Sequence, residues 1–300
     1  MSYRVTSASL GLSVMDGLQA NLSRLQRTQE QLSSGRRINR VSDSPVDAAS
    51  AMRLRAEQSA NEQVGRNIDD GLNNLGAADI AFTSMSTQVQ RVRQLVVAGL
   101  SDSNSASDRA AIATEIDQLK EGLIAQANTR YLGRPIFAGT QDVPLAYDTT
   151  TGQYLGNGSA VQRSISIDGA TRLGVSVPGP EAFSTLFSDA GGPGILDRIS
   201  AALRDPAGPA GLNTELSNLD IASTTMQSAR SVVVSLYNRL LGIQSVGGTR
   251  LDAVTAQLAL AENIDLPKTI IDMQIQSTSY QAALGASAKI IQPSLLDFLR

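Results

Sequence analysis

Arg36, Arg37 and Arg40, the adjacent carboxylates Asp69 and Asp70, and Asp189 are the side chains of this sequence with the most obvious chemical potential. An arginine cluster can grip phosphate, and a carboxylate pair can hold a divalent cation or exchange a proton. Neither pattern is developed. The arginines have no interleaved aromatics, so they read as a solvated or protein-contacting turn rather than a nucleic-acid patch. The aspartates are not repeated at a ligand spacing and read as solvated charges. The chain has no His and no Cys, which removes the commonest general base, the thiolate nucleophile and the usual zinc ligands. No phosphate-cradling glycine loop, nucleophile elbow or metal motif is present, and only carboxylate chemistry would remain.

Composition points the same way. Hydrophobic residues make up 42% and charged residues 18% of 300, enough for a folded chain with a real core, yet Trp is absent and aromatics reach only 4%. A core of Leu, Ile, Val and Ala suggests helix packing, and a cofactor pocket is not expected. The net charge of -3 gives no general attraction to nucleic acid or anionic lipid. No apolar run is long enough to cross a bilayer, so membrane insertion is not expected. The opening residues lack the apolar stretch and cleavage site of a secretory signal. Absence of Cys is compatible with an oxidising exterior, and a cytosolic chain lacking Cys remains an alternative.

The elements that must position these residues are mostly helical. Residues 10 to 34 read as a helix stopped by Gly35. Ser44, Pro45 and Asp47 form a start signal, and helical register runs from Pro45 toward Asn74 and on to about residue 130, interrupted from Gly99 to Ser107. Ser105 and Asp108 repeat the capping-box spacing. From Gly133 to about Pro180 the pattern changes to turns and short alternating segments, Arg163 to Asp168 and Leu173 to Val177, with Asp168-Gly169 as a hairpin turn. A short helix including Ile195 to Leu203 and a long one containing Gly247-Gly248, read as a weak point, follow. Asp265 and Pro267 restart a last helix, which Pro293 ends.

Both ends carry heptad-like stripes: Met15, Leu18, Leu22, Leu25, Gln29 and Leu32 near the start, and Leu251, Val254, Leu258, Ile264, Ile271, Ile275, Thr278 and Ala282 near the end. Each stripe needs a cover, and the obvious partner is the other terminus. Helices of a compact bundle would show nearly the same pattern. Charge favours terminal pairing: residues 1–60 carry eight arginines against five carboxylates, a balance of +3, and residues 251–300 balance at -2.

Gln31-Leu-Ser-Ser-Gly-Arg-Arg-Ile-Asn-Arg-Val-Ser-Asp-Ser-Pro-Val-Asp-Ala-Ala49 resembles the N-terminal signature of the bacterial flagellin superfamily. Gln90-Arg-Val-Arg-Gln-Leu-Val-Val97, Asn104 to Arg109 and Glu115 to Leu119 are similar to that family too. So are Ala261 to Asp265, Tyr280 to Leu284 and Ser294 to Leu299 at the other end. Two departures from filament flagellin, Pro45 within Asp43 to Ala49 and the segment Gly133 to Thr140, resemble the family's hook-filament junction branch.

The resemblance implies an α+β, mainly α fold: terminal helices packed as an antiparallel coiled-coil-like rod carrying an inserted small β-rich domain. Its expected divisions are an axial helix and turn at 1–45, helical rod segments at 46–132 and 191–250, an outer insert at 133–190 and an axial helix at 251–300. It implies a structural, non-enzymatic subunit of the extracellular flagellum, secreted by type III export. As an adaptor it would link the hook, through another hook-associated protein, to the flagellin filament. Its partners would be copies of itself in a ring, flagellin, another hook-associated protein and an export chaperone, with no cofactor. The candidate assembly residues are Leu18, Leu22, Leu25, Leu32, Arg36, Arg37 and Ile38, facing Leu284, Ile290, Ile291, Leu295 and Leu296. The alternatives are a short filament flagellin and an enzyme or adhesin with its site in the β insert.

Overall fold

The computed structural model describes residues 7–101, 104–166, 171–177, 179–189, 192–206 and 211–291. Helix α1 (Ser7–Ser34) ends at Gly35, whose φ of +69° is a left-handed conformation that a side chain would strain. Helix α2 (Pro45–Gly99) begins where Pro45 occupies the first position, with the Ser44 hydroxyl 2.9 Å from the Asp47 carboxylate. It runs unbroken through Gly71. That glycine serves a close approach instead of a break, because a Cβ there would lie 2.8 Å from Val175 Cγ1. Helix α3 (Ala106–Ala127) opens on the expected capping box: the Ser105 hydroxyl accepts from the Asp108 N–H, and the Asp108 carboxylate accepts from the Ser105 N–H at 3.0 Å.

Three antiparallel pairs follow: β1 (Arg130–Tyr131) with β2 (Arg134–Pro135), β3 (Gln162–Ser164) with β4 (Arg172–Gly174), and β5 (Ser188–Asp189) with β6 (Gly192–Pro193). In the second pair Arg163 stands opposite Leu173. The ladder is shorter than the alternating sequence predicts. The Val161 N–H bonds to the Ser176 hydroxyl at 2.8 Å, and Val175 and Val177 turn into the core. The expected Asp168-Gly169 turn lies outside the described residues. Helix α4 (Gly179–Phe187) is an element the sequence reading did not anticipate.

Helix α5 (Ile195–Arg204) precedes α6 (Leu212–Glu262), which continues through Gly247-Gly248. The predicted weak point is therefore helical, at an intrinsic cost of about 1 kcal/mol per glycine that the helix on either side outweighs. After a break at residues 263–265, α7 (Leu266–Ile291) starts with the Asp265 carboxylate accepting from the Lys268 N–H at 3.1 Å. Pro267 sits in its first turn, where no N–H is needed. The expected stop at Pro293 lies outside the described residues.

The chain divides into two compact units, residues 60–250 and residues 1–59 with 251–300, and α2 and α6 contribute to both. In the 60–250 unit, α2 and α6 run antiparallel, tied by Asp79–Arg230 and Arg93–Asp220 ion pairs at 2.7 Å. Their core is aliphatic except at one place. Phe82 of α2 lies 5.4 Å from Phe137 of the insert and 5.3 Å from Phe183 of α4, with Tyr147 and Phe187 adjoining. Four of the chain's five Phe are thus concentrated where the insert meets the helices, so its few aromatics carry much of the docking.

Asp70 corrects the reading of a merely solvated pair. It binds Arg163 of β3 at 2.9 Å, while Asp69 accepts from the Gln244 amide at 2.7 Å. The tertiary fold brings an insert arginine to a helix acid 93 positions away, a pairing invisible in local spacing.

Candidate assembly surface

In the unit formed by residues 1–59 and 251–300, α1 and α7 pack side by side and antiparallel. The Thr28 hydroxyl donates to the Gln276 side-chain oxygen at 2.8 Å, and the Ile264 N–H reaches the Gly35 carbonyl at 3.2 Å, so later residues of one helix meet earlier ones of the other. Val14, Leu18, Asn21, Leu25, Thr28 and Leu32 are half-buried or buried on α1, an alternating four-and-three spacing. Thr269, Met273, Gln276, Tyr280, Ala283 and Ser287 are their counterparts on α7. That is the seam of an antiparallel coiled coil, and much of it is polar or small.

This seam differs in phase from the stripes that hydrophobicity alone picks out. Leu18, Leu25 and Leu32 lie on it. Leu22 and Met15 do not, and on α7 Ile271, Ile275 and Leu284 are 55%, 58% and 44% exposed. The most apolar face of α7 therefore points away from α1, correcting the expectation that the terminal stripes cover each other. Counting at equal rise from Thr28 and Gln276 sets Leu22 level with Ala282, Leu18 with Ala286 and Leu32 with Asp272. Ile290 and Ile291 close α7 without described side chains, and Leu295 and Leu296 lie outside the described residues.

The turn between α1 and α2 is stapled to the break between α6 and α7. Arg36 pairs as an isolated antiparallel bridge with Asn263, and the Arg37 N–H donates to the Glu262 carbonyl at 2.6 Å. The Arg37 guanidinium reaches Asp47 at 3.0 Å and the Ala261 carbonyl at 3.0 Å. The hydroxyl of Ser44, and then Arg37, hold the Asp47 carboxyl below the usual carboxylate range. Beneath them Glu262, 5% exposed, takes Arg55 at 2.8 Å and Arg36 at 3.8 Å. Arg36 and Arg37 thus contact the chain's own second terminal segment, while Ile38 is half-buried in the same turn. The sequence reading did not single out Glu262. Its only local signal is an acid closing a long helix, and spacing cannot pair it with arginines some two hundred positions earlier.

Among the described residues of this unit the buried hydrophobics are Ala48, Ala51, Leu54 and Val254, joined by the polar Thr28, Glu262 and Ser287. No group of three or more potential metal ligands occurs among the described residues, and no described helix is long and apolar enough to cross a membrane. The described surface presents apolar stripes and arginines.

Residues 5–142 match the family described as the bacterial flagellin N-terminal helical region, which spans α1, the stapled turn, α2, α3 and the first strands. A flagellar hook-associated protein 3 from Salmonella typhimurium is 27% identical across 92% of this chain and 92% of its own length. These matches make the chain similar to the bacterial flagellin superfamily along most of its length. A Bacillus subtilis flagellin is 26% identical over 99% of this chain and all of its own. Among solved structures, a flagellar hook-associated protein from Vibrio parahaemolyticus shares the fold with a TM-score of 0.62, at 19% identity over 73% of this chain and 99% of that one. The signature-like residues Gln31 to Ala49 are those of the staple: the Gln31 amide donates to the Arg37 carbonyl at 2.9 Å, and Asp43 caps the Asn39 and Arg40 N–H groups.

Proposed function

We propose that the chain is a structural subunit of the bacterial flagellum that joins the hook to the flagellin filament. One observation carries the assembly role. The α1–α7 pair covers itself through a partly polar seam and leaves Met15, Leu22, Ile271, Ile275 and Leu284 outward, over a unit whose described residues bury only four hydrophobic side chains. Covering a large apolar side chain fully is worth about 1.5–3 kcal/mol. Since these five are already partly shielded, a neighbour gains on the order of 5 kcal/mol per subunit from them. Many such contacts around a ring act together, so detachment requires several to fail at once. The junction position rests on the hook-associated relative, whose match spans nine-tenths of both chains.

In this reading, copies of the chain form a ring in the extracellular axial structure. Another hook-associated protein lies on its proximal side and flagellin on its distal side. Before type III export, the bare stripe of α7 is the face a cytoplasmic chaperone would cover, because exposed apolar helices aggregate. The candidate residues Leu18, Leu25 and Leu32 hold the terminal pair together. Leu22 and Leu284, with Met15, Ile271 and Ile275, meet neighbours.

The end-to-end match to a flagellin favours a second reading, a short filament subunit. Electron microscopy of the purified protein at polymerising salt separates them. A junction subunit gives monomers or short oligomers, and long filaments from this chain alone would contradict the junction role.

A further inference from the structure

Asn157-Gly158 is the one Asn-Gly step in the sequence, and both residues are exposed on a turn of the insert. Asparagine before glycine is the least hindered setting for attack of the following backbone nitrogen on the side-chain amide, because glycine has no Cβ in the way and a freely turning backbone. The fold occupies the groups that this attack needs. Asn157 Oδ1 accepts from the Thr140 and Ser159 N–H groups, each at 3.1 Å, and Nδ2 donates to the Thr140 hydroxyl. The Gly158 N–H, whose nitrogen is the nucleophile in that attack, donates to the Tyr154 hydroxyl at 3.2 Å. That hydroxyl donates in turn to the Phe137 carbonyl at 3.0 Å, and the Asn157 N–H reaches the Ala138 carbonyl at 3.3 Å.

Segments 137–140 and 154–159 are thus clamped through one side-chain amide. Gly139 shows how closely they approach: at φ +74°, a Cβ on it would lie 2.5 Å from Asn157 Oδ1. A sequence step that is labile in an open chain is held in place by its neighbours in the closed insert.

We infer that Asn157 is a modification site gated by this clamp, inert while the insert is closed and converted to aspartate or isoaspartate when the clamp opens. Hydroxide removes the Gly158 N–H proton, and the nitrogen forms a bond to Asn157 Cγ. The Cγ–Nδ2 bond breaks, and Nδ2 leaves as ammonia after taking a proton from water, which returns the hydroxide. A second water then opens the five-membered imide at either carbonyl, so the net change consumes one water and releases one ammonia without oxidation or reduction. Opening at one carbonyl gives aspartate, whose carboxylate still accepts the Thr140 and Ser159 N–H groups. Opening at the other gives isoaspartate, which adds a methylene to the main chain. The bonds from residues 157 and 158 to Ala138 and Tyr154 then no longer form together, and the clamp does not reclose.

The test incubates the full chain in mildly alkaline buffer, folded or in guanidinium chloride, and follows the peptide containing residue 157 by mass spectrometry for conversion of amide to acid. Conversion in the folded chain is slower on the order of a hundredfold, because it tracks the population of the opened clamp. Equal rates overturn the gate, and no conversion at residue 157 in denaturant overturns the site. Thr140→Val removes the acceptor of Nδ2 and speeds conversion of the folded chain about tenfold, with the rate in denaturant unchanged. An unchanged folded rate in that variant refutes the clamp. Refolding after conversion is a check that does not depend on how the variant folds. The isoaspartate form unfolds at a lower temperature than the wild type, and Asn157→Asp, which carries the charge without the extra methylene, does not. A wild-type Tm for the isoaspartate form refutes the proposed failure to reclose.

Discussion

Replacing Phe137 with alanine tests whether the inserted segment and the helices share one core. Phe137 is fully buried, with its ring centroid 5.4 Å from Phe82 on α2 and 5.0 Å from Phe183 on α4, both edge-to-face. Truncating a core Phe leaves a cavity and costs about 3–5 kcal/mol. In a unit of this size each kcal/mol moves Tm by about 2–4 °C, so a loss of about 6–20 °C is expected. The assay follows heat or urea unfolding with two probes. Far-ultraviolet circular dichroism reports the helices. Tyrosine fluorescence, uncontaminated because the chain has no Trp, includes Tyr147 and Tyr154 of the insert. Both transitions should move together. If the tyrosine transition falls while the helical one stays in place, the insert folds on its own and the shared-core reasoning is wrong.

Leu22→Asp together with Leu25→Asp places one carboxylate on the outward stripe and one in the α1–α7 seam. Assembly into flagella should be lost while the unfolding transition of the 60–250 unit is kept, and normal incorporation would contradict the terminal surface's role. Three carboxyls lie below their ordinary range: Asp47 through Ser44 and then Arg37, Asp108 through the Ser105 hydroxyl and then its N–H, and Asp148 through the Thr151 and then Thr150 N–H groups. Their stabilisation is complete above the unfolded value of about 3.9 and is lost as pH falls through the lower folded values. Tm should therefore be flat above about pH 5 and drop in acid, and Asp108→Asn should make that drop shallower; an unchanged acid limb would count against it. Leu132, at φ 48° in the two-residue turn between β1 and β2, occupies a conformation that costs Leu about 1–2 kcal/mol. Leu132→Asn should raise urea stability by about 1 kcal/mol, and a loss would show that the exposed Leu is held there by a contact within the fold.

Local chemistry made the element boundaries legible. Gly35, Pro45, the Ser105–Asp108 box and Asp265-Pro267 each act within a few residues of themselves, and the structure uses each one as the sequence reading expects, whereas the Ser44 hydroxyl donates to the Asp47 carboxylate. The phase of the terminal seam was not legible. A helix with apolar residues on more than one face offers several heptad frames, and Thr28 bonding Gln276 selects the more polar one. The richer Ile271–Ile275 stripe is left outside, an arrangement that a single-chain criterion of burial cannot foresee but that an assembling subunit explains. The aromatic cluster and Glu262 escaped for a related reason. Phe82, Phe137 and Phe183 are scattered in sequence, and the Glu262–Arg55 pair spans both ends of the chain. The low aromatic content hid how much those few rings do at one place.

Deleting the gene and imaging the cells tests the central claim most directly. A junction subunit leaves hooks without filaments, with flagellin released into the medium, and the phenotype is reversed by the wild-type chain. Cells that still carry intact filaments of normal length would contradict the account.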